Sequence, residues 1–215
     1  MPNRFKHNTI AMVYDFDGTL SPQPMQEYTV LPAINVAPGR FWSEVKRTAK
    51  EQKAEEILTY MRLLYEKADE ARVSIKRSDL KQMGSDIQYY QGVENLFNRM
   101  NEYVKRESGR KVKIQHYIVS AGLKEILEGT SIKRNFKAIY ASEYFFDHNG
   151  VAKFPNRLVT DTAKTQYLFR INKGKEDLNE FINKHMPESE RPVPFSNMIY
   201  YGDGETDVPS MTVTR

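Results

Sequence analysis

The stretch Ile10-Ala11-Met12-Val13-Tyr14-Asp15-Phe16-Asp17-Gly18-Thr19-Leu20 decides the fold. Its first five residues form a continuous apolar run about one strand long, the pattern of a strand buried on both faces. The run stops abruptly at two aspartates that flank one apolar residue, with Ser21-Pro22-Gln23-Pro24 as a breaker cluster just beyond. A strand covered on both faces implies a sheet with helices packed on each side.

Working outward, the pattern repeats. Lys111 to Val119 reads as a strand closing with Ser120-Ala121-Gly122, and Phe136 to Ala141 as a third strand. Met198 to Tyr201 is a fourth, closing with Gly202-Asp203-Gly204-Glu205-Thr206-Asp207. Asn149-Gly150, between Tyr144-Phe145-Phe146 and Val151, signals a hairpin. Helical periodicity fills the intervals. One helix is expected from Ser43, its candidate cap, to about Arg72, with Ile57, Met61, Leu64 and Ala68 on one face. Another carries Leu80, Met83, Ile87 and Tyr90, and a third follows Gly92. A short helix passes through Ile126 and Leu127, one runs from Thr162 to Gly174, and a last one spans roughly Glu176 to His185. Strands alternating with helices predict a parallel sheet, and ligands of such sheets bind outside the carboxyl ends of the strands. Three polar or small-residue loops meet at that rim: Asp15–Gly18, Ser120–Gly122 and Gly202–Asp207.

Composition narrows the chemistry. The 215 residues are 40% hydrophobic and 28% charged, enough for a packed core. There is no cysteine, which excludes disulfides, zinc–thiolate sites and a cysteine nucleophile. A net charge of +4 suits an anionic ligand but is too small an excess to argue for nucleic acid. No signal-peptide or membrane-length apolar segment is visible, so a cytoplasmic protein is expected.

Four carboxylates, Asp15, Asp17, Asp203 and Asp207, converge on the rim without cysteine or a nearby histidine. Unneutralised they would repel one another; oxygen-only donors suit a hard cation such as Mg²⁺, which also binds phosphate oxygens. A carboxylate beside a metal-held phosphate can attack it, and a second carboxylate two residues on can protonate the leaving alcohol and then activate water. Ser120, with the amides of Ala121 and Gly122, supplies donors for the charged phosphoryl group. Lys164 is the candidate cationic clamp. It falls in the first turn of its helix, where a cation opposes the helix dipole by about 0.3–1 kcal/mol, so a purely structural choice would favour an acid there. Lys173 and Lys175 sit at the far end of that helix, where the dipole accounts for them. His116 reads as a strand histidine satisfied by its neighbours. Trp42 and Arg40 are candidate substrate contacts.

Val13–Leu20 resembles the first motif of the haloacid dehalogenase-like hydrolase superfamily. Val119-Ser120-Ala121-Gly122 resembles its second, Lys164 its third, and Gly202–Asp207 its fourth. The likeness is closest to the phosphoserine-phosphatase-like branch, where a helical cap follows the first motif. It implies a Rossmann-like α/β core at residues 1–21 and 91–215 and a helical cap domain at 22–90. It further implies Asp15 as nucleophile and Mg²⁺ ligand, and Asp17 as general acid/base giving the ion its backbone carbonyl. Phe16 would join Ser120, Ala121, Gly122 and Lys164 at the phosphoryl group, while Asp203 and Asp207 complete the metal site. The implied activity is Mg²⁺-dependent hydrolysis of a small phosphomonoester through an aspartyl-phosphate. Phosphoryl transfer to a second substrate and a catalytically silent binding module are the alternatives. The chain stops eight residues after Asp207, where members of the family continue with a helix and another core strand. A missing edge strand is therefore expected, leaving the Met198–Tyr201 edge exposed.

Overall fold

The computed structural model describes residues 7–215. The chain runs β1 (Thr9–Tyr14), α1 (Met25–Tyr28), α2 (Val30–Ala33), α3 (Pro38–Gln52), α4 (Glu56–Glu70), α5 (Arg77–Met83) and α6 (Val93–Glu107). It continues with β2 (Lys113–Leu123), α7 (Lys124–Gly129), β3 (Phe136–Phe146), β4 (Ala152–Arg157), α8 (Ala163–Lys173), β5 (Met198–Tyr201) and α9 (Val208–Val213). The five strands form one sheet in the order β4-β3-β2-β1-β5. All neighbours are parallel except β3 and β4, which make an antiparallel hairpin around Asn149-Gly150. No described helix is long and apolar enough to cross a membrane.

The central position of β1 follows from its apolar run. Ala11 and Val13 pack on one face with Tyr117, Val119, Tyr167, Leu168 and Ile171, so α8 covers that side. Met12 and Tyr14 pack on the other face with Phe97 of α6 and with the helices that follow β1. Those helices share this apolar cluster: Phe41, Val45, Met61 and Leu64 lie in it together with Ile118, Leu123 and Phe146. Each fully buried side chain of this size contributes about 1.5–3 kcal/mol. Register then positions the site. Tyr14 stands opposite Ile118 on one side and Tyr201 on the other. Parallel strands in this register bring Asp15, Ser120 and Asp203 to the same edge.

Several expectations are corrected. The helix read from Ser43 to Arg72 is two helices separated at Lys53, whose φ of 51° turns the chain back. Ser43 lies inside α3, its hydroxyl bonded to the Gly39 carbonyl, and caps nothing. The 80–90 helix is limited to α5 and one following 3-10 turn. Phe136 to Phe146 is a single strand. Glu176 to His185 is not helical. Three cations take its carbonyls instead. Arg170 donates to those of Lys175, Asp177, Leu178 and Glu180, Lys173 to Ile182 and Lys184, and Lys175 to Phe181. Carbonyls engaged this way are withdrawn from a helical ladder. The lysines at 173 and 175 thus bind loop backbone, beyond any dipole effect.

Candidate active site

Asp15 follows directly on β1, with its amide bonded to the Tyr201 carbonyl of β5 at 2.8 Å. The chain then wraps around the Phe16 carbonyl, which accepts the amides of Thr19, Leu20 and Ser21. The turn depends on Gly18, whose φ is +82° and whose missing Cβ would stand 2.2 Å from an Asp203 carboxylate oxygen. Gly202 serves the fourth-motif side in the same way: a Cβ there would meet the Asp207 carboxyl carbon at 2.3 Å. The two glycines let the loops of β1 and β5 close on each other.

Three of the four acids expected at the rim meet there. Asp15, Asp203 and Asp207 each offer an oxygen within 4.8 Å of the others. Asp15 and Asp207 are buried, whereas Asp203 is exposed and leaves the cluster open on one side. Lys164, 2% exposed, reaches between the buried pair, with its ammonium 3.0 Å from Asp15 Oδ2 and 2.7 Å from Asp207 Oδ1. Asp207 Oδ1 also accepts the Tyr200 hydroxyl at 2.7 Å. Three carboxylates with only oxygen donors fit a hard divalent cation such as Mg²⁺. The carboxylate of Asp17 lies apart from this triad and accepts the Met25 amide at 2.9 Å.

Burial sets the protonation states. Burial raises the Asp15 carboxyl to about 6; the Lys164 ammonium opposes this rise and Asp207 adds to it. Burial, then the neighbouring Asp15 charge, holds Asp17 well above the ordinary carboxylate range. Burial would lower the Lys164 ammonium, but Asp15 and Asp207 outweigh it and the net direction is up. At neutral pH this leaves Asp15 ionised, and it makes Asp17, two residues on, a weaker acid than an exposed aspartate.

The donor side is more occupied than expected. The Phe16 amide bonds Asp15 Oδ1 at 2.8 Å. Ser120 and Gly122 lie within β2 and not in a loop before a helix; α7 begins only at Lys124. The Gly122 amide donates to Ser120 Oγ at 3.0 Å, and the Leu123 amide faces the Met25 sulfur at 3.1 Å. Ala121 is half-buried beside them. His116 is satisfied by Tyr14 and Asn101 at 3.0 and 3.2 Å, and burial lowers it to about 4. Trp42 gives its indole N–H to Glu27 at 2.8 Å, while Arg40 is exposed.

Sequence reading missed two tyrosines. Alternation in β5 buries Met198 and Tyr200, a period-two signal that could have found Tyr200. Tyr60 of α4 donates to the Ala121 carbonyl at 2.9 Å across 61 residues of sequence, and no local pattern announces it. Burial, with the Asp17 charge behind it, raises the Tyr60 hydroxyl, so it remains a donor.

The profile of the haloacid dehalogenase-like hydrolases matches residues 12–212. The chain belongs to that family. A relative from Borreliella burgdorferi, an uncharacterized protein, is 28% identical over an alignment of 229 positions that covers 97% of this chain and 79% of that one. A phosphoserine phosphatase with an analogue of its phospho-aspartyl intermediate superposes with a TM-score of 0.63 at 14% identity, covering 96% of this chain and 83% of that chain. Substrate-bound phosphoserine phosphatase gives 0.61 at 14%, over 95% and 82%. A family hydrolase from Salmonella enterica serovar Typhi gives 0.63 at 12%; it covers 96% of this chain, but this chain spans only 60% of its length. This chain and these solved structures therefore share one Rossmann-like α/β fold.

Proposed function

We propose that this hydrolase is a Mg²⁺-dependent phosphomonoesterase that acts through an aspartyl-phosphate on Asp15, with residues 22–90 serving as a cap over a core of 1–21 and 91–215. One observation carries the reading: the Asp15 carboxylate faces Lys164 and two further acids, while the Asp17 carboxyl, two residues on, lies apart on the Met25 amide, where burial holds it above the ordinary carboxylate range. Pairs of acids whose environments separate their protonation states are suited to divided nucleophile and acid roles.

Asp15 attacks the phosphorus, and the bond from phosphorus to the leaving alcohol oxygen breaks. Asp17 gives its proton to that oxygen. Asp17 then accepts a proton from water, the water oxygen attacks phosphorus, and the bond to Asp15 breaks to release orthophosphate. Ser120 Oγ, the Ala121 amide, the Phe16 amide and Lys164 donate to the phosphoryl oxygens. Those of Phe16 and Lys164 transfer part of their bonding from the Asp15 carboxylate. Asp15, Asp203, Asp207 and the Asp17 carbonyl would hold a divalent cation, which supplies positive charge against the phosphoryl oxygens. The phosphoserine phosphatases that share the fold support a small phosphorylated metabolite as substrate.

Free-phosphate detection across a panel of phosphorylated metabolites tests the proposal. Phosphate release that needs Mg²⁺, is lost with chelator and is abolished in Asp15→Asn is expected. Undiminished turnover in Asp15→Asn refutes the nucleophile; transfer to an added acceptor alcohol without phosphate release reassigns the reaction as phosphoryl transfer.

A further inference from the structure

The segment that carries Ser120 has an unusual weakness. In the ladder between β2 and β3, Ser120 pairs with Ala141 but the next partner, Ser142, pairs with Leu123. Ala121 and Gly122 bulge out with no partner residue in β3. The peptide group between them is held by side chains instead. Its carbonyl accepts the Tyr60 hydroxyl at 2.9 Å, and its N–H donates to Ser120 Oγ at 3.0 Å. Ser120 is 1% exposed and Tyr60 3%. The Tyr60 ring is fixed edge-on against Trp42, with centroids 5.8 Å apart.

We propose that Tyr60 is a positioning residue for the Ser120 hydroxyl, acting through the Ala121–Gly122 peptide. The Gly122 N–H occupies an acceptor direction of Ser120 Oγ, which turns the hydroxyl proton away from the bulge and leaves it free to donate. The Tyr60 hydroxyl does two things to this arrangement. It fixes the plane of a peptide that no ladder bond fixes. It also polarises that peptide, and hydrogen bonds in series strengthen one another in a buried setting. The donor thus comes from the helical segment between β1 and β2, so correct docking of α4 is read out at the phosphoryl-binding hydroxyl. The inference rests on the proposed phosphoryl-binding role of Ser120.

The test is a double-mutant cycle with p-nitrophenyl phosphate turnover and inorganic phosphate affinity in Mg²⁺ as readouts. Tyr60→Phe keeps the ring against Trp42 and removes only the donor. With Ser120 present it is expected to lower kcat about five- to thirty-fold, the range of one or two hydrogen-bond equivalents. In the Ser120→Ala background the same change is expected to cost less than about twofold. Tyr144→Phe is the control. Tyr144 donates to the Met61 carbonyl of the same helix at 2.6 Å and does not touch the bulge, so kcat stays near that of the parent. An equal loss in both Ser120 backgrounds, or an equal loss in Tyr144→Phe, overturns the proposal in favour of simple packing. If Tyr60→Phe fails to fold, Tyr60→Met in both backgrounds replaces it. A parent that binds phosphate without hydrolysing ester refutes the phosphatase reading alone, since the cycle is then read in phosphate affinity. A parent that neither binds nor hydrolyses refutes both.

Discussion

Replacing Lys164 by methionine preserves side-chain length and removes one charge from the middle of the site. Lys164 is 2% exposed and contacts Asp15 and Asp207 at 3.0 and 2.7 Å. Its loss leaves two buried carboxylates facing each other. Removing one partner of a buried charge cluster costs about 3–5 kcal/mol. For a chain of this size that is a fall in Tm of about 6–20 °C. The sign with pH follows from Asp15, whose folded value of about 6 lies above its ordinary 3.8. A carboxyl raised on folding contributes stability below its unfolded value and loses it as pH rises through the folded value. Without the ammonium the rise is larger. The deficit of Lys164→Met against parent is therefore small at pH 5 and complete at pH 8. Added Mg²⁺ recovers more stability in the variant than in the parent, because no ammonium competes for the same oxygens. A hundredfold excess over Kd is worth about 2.7 kcal/mol. Thermal unfolding at both pH values, with and without Mg²⁺, measures all of this. A loss below about 1 kcal/mol at pH 8, or an equal loss at both pH values, refutes the electrostatic account of the triad.

Gly18→Ala places an L side chain at φ +82° and a methyl 2.2 Å from Asp203. It is expected to cost about 1–2 kcal/mol in backbone strain and to weaken Mg²⁺ binding at least about tenfold, read from metal titrations of Tm. His116, lowered by burial to about 4, destabilises the fold in acid. The unfolded chain takes up its proton first, so stability falls as pH drops from about 6.5 to about 4, by up to about 3 kcal/mol. Urea midpoints across that range should flatten in His116→Gln; an unchanged slope refutes the assignment.

The parts of the molecule legible in the sequence are those where local pattern and chemistry coincide. Ile10–Tyr14 is apolar throughout because β1 is covered on both faces, and it ends at Asp15 because the strand ends there. Asp203 and Asp207 were findable since their spacing lies within one loop. What escaped depends on contacts distant in sequence. Leu178, Phe181 and Ile182 have helical spacing, yet Arg170, Lys173 and Lys175 bind the carbonyls a helix would need. Lys53 breaks a helix without a glycine or proline to mark it. The bulge at Ala121–Gly122 exists through its partners, β3 and Tyr60, and neither is written locally.

The apolar cluster shared by the helices after β1 and one face of the sheet has a mechanical consequence. Phe41, Met61 and Leu64 are fully enclosed in the same cluster as Tyr14 and Ile118. Swinging those helices away as a rigid flap would wet all of these side chains at once, at tens of calories per mole for every square ångström exposed. The side of the acid cluster left open by the exposed Asp203 exposes none of them. The enclosed side chains thus act as a latch that keeps those helices seated on the sheet.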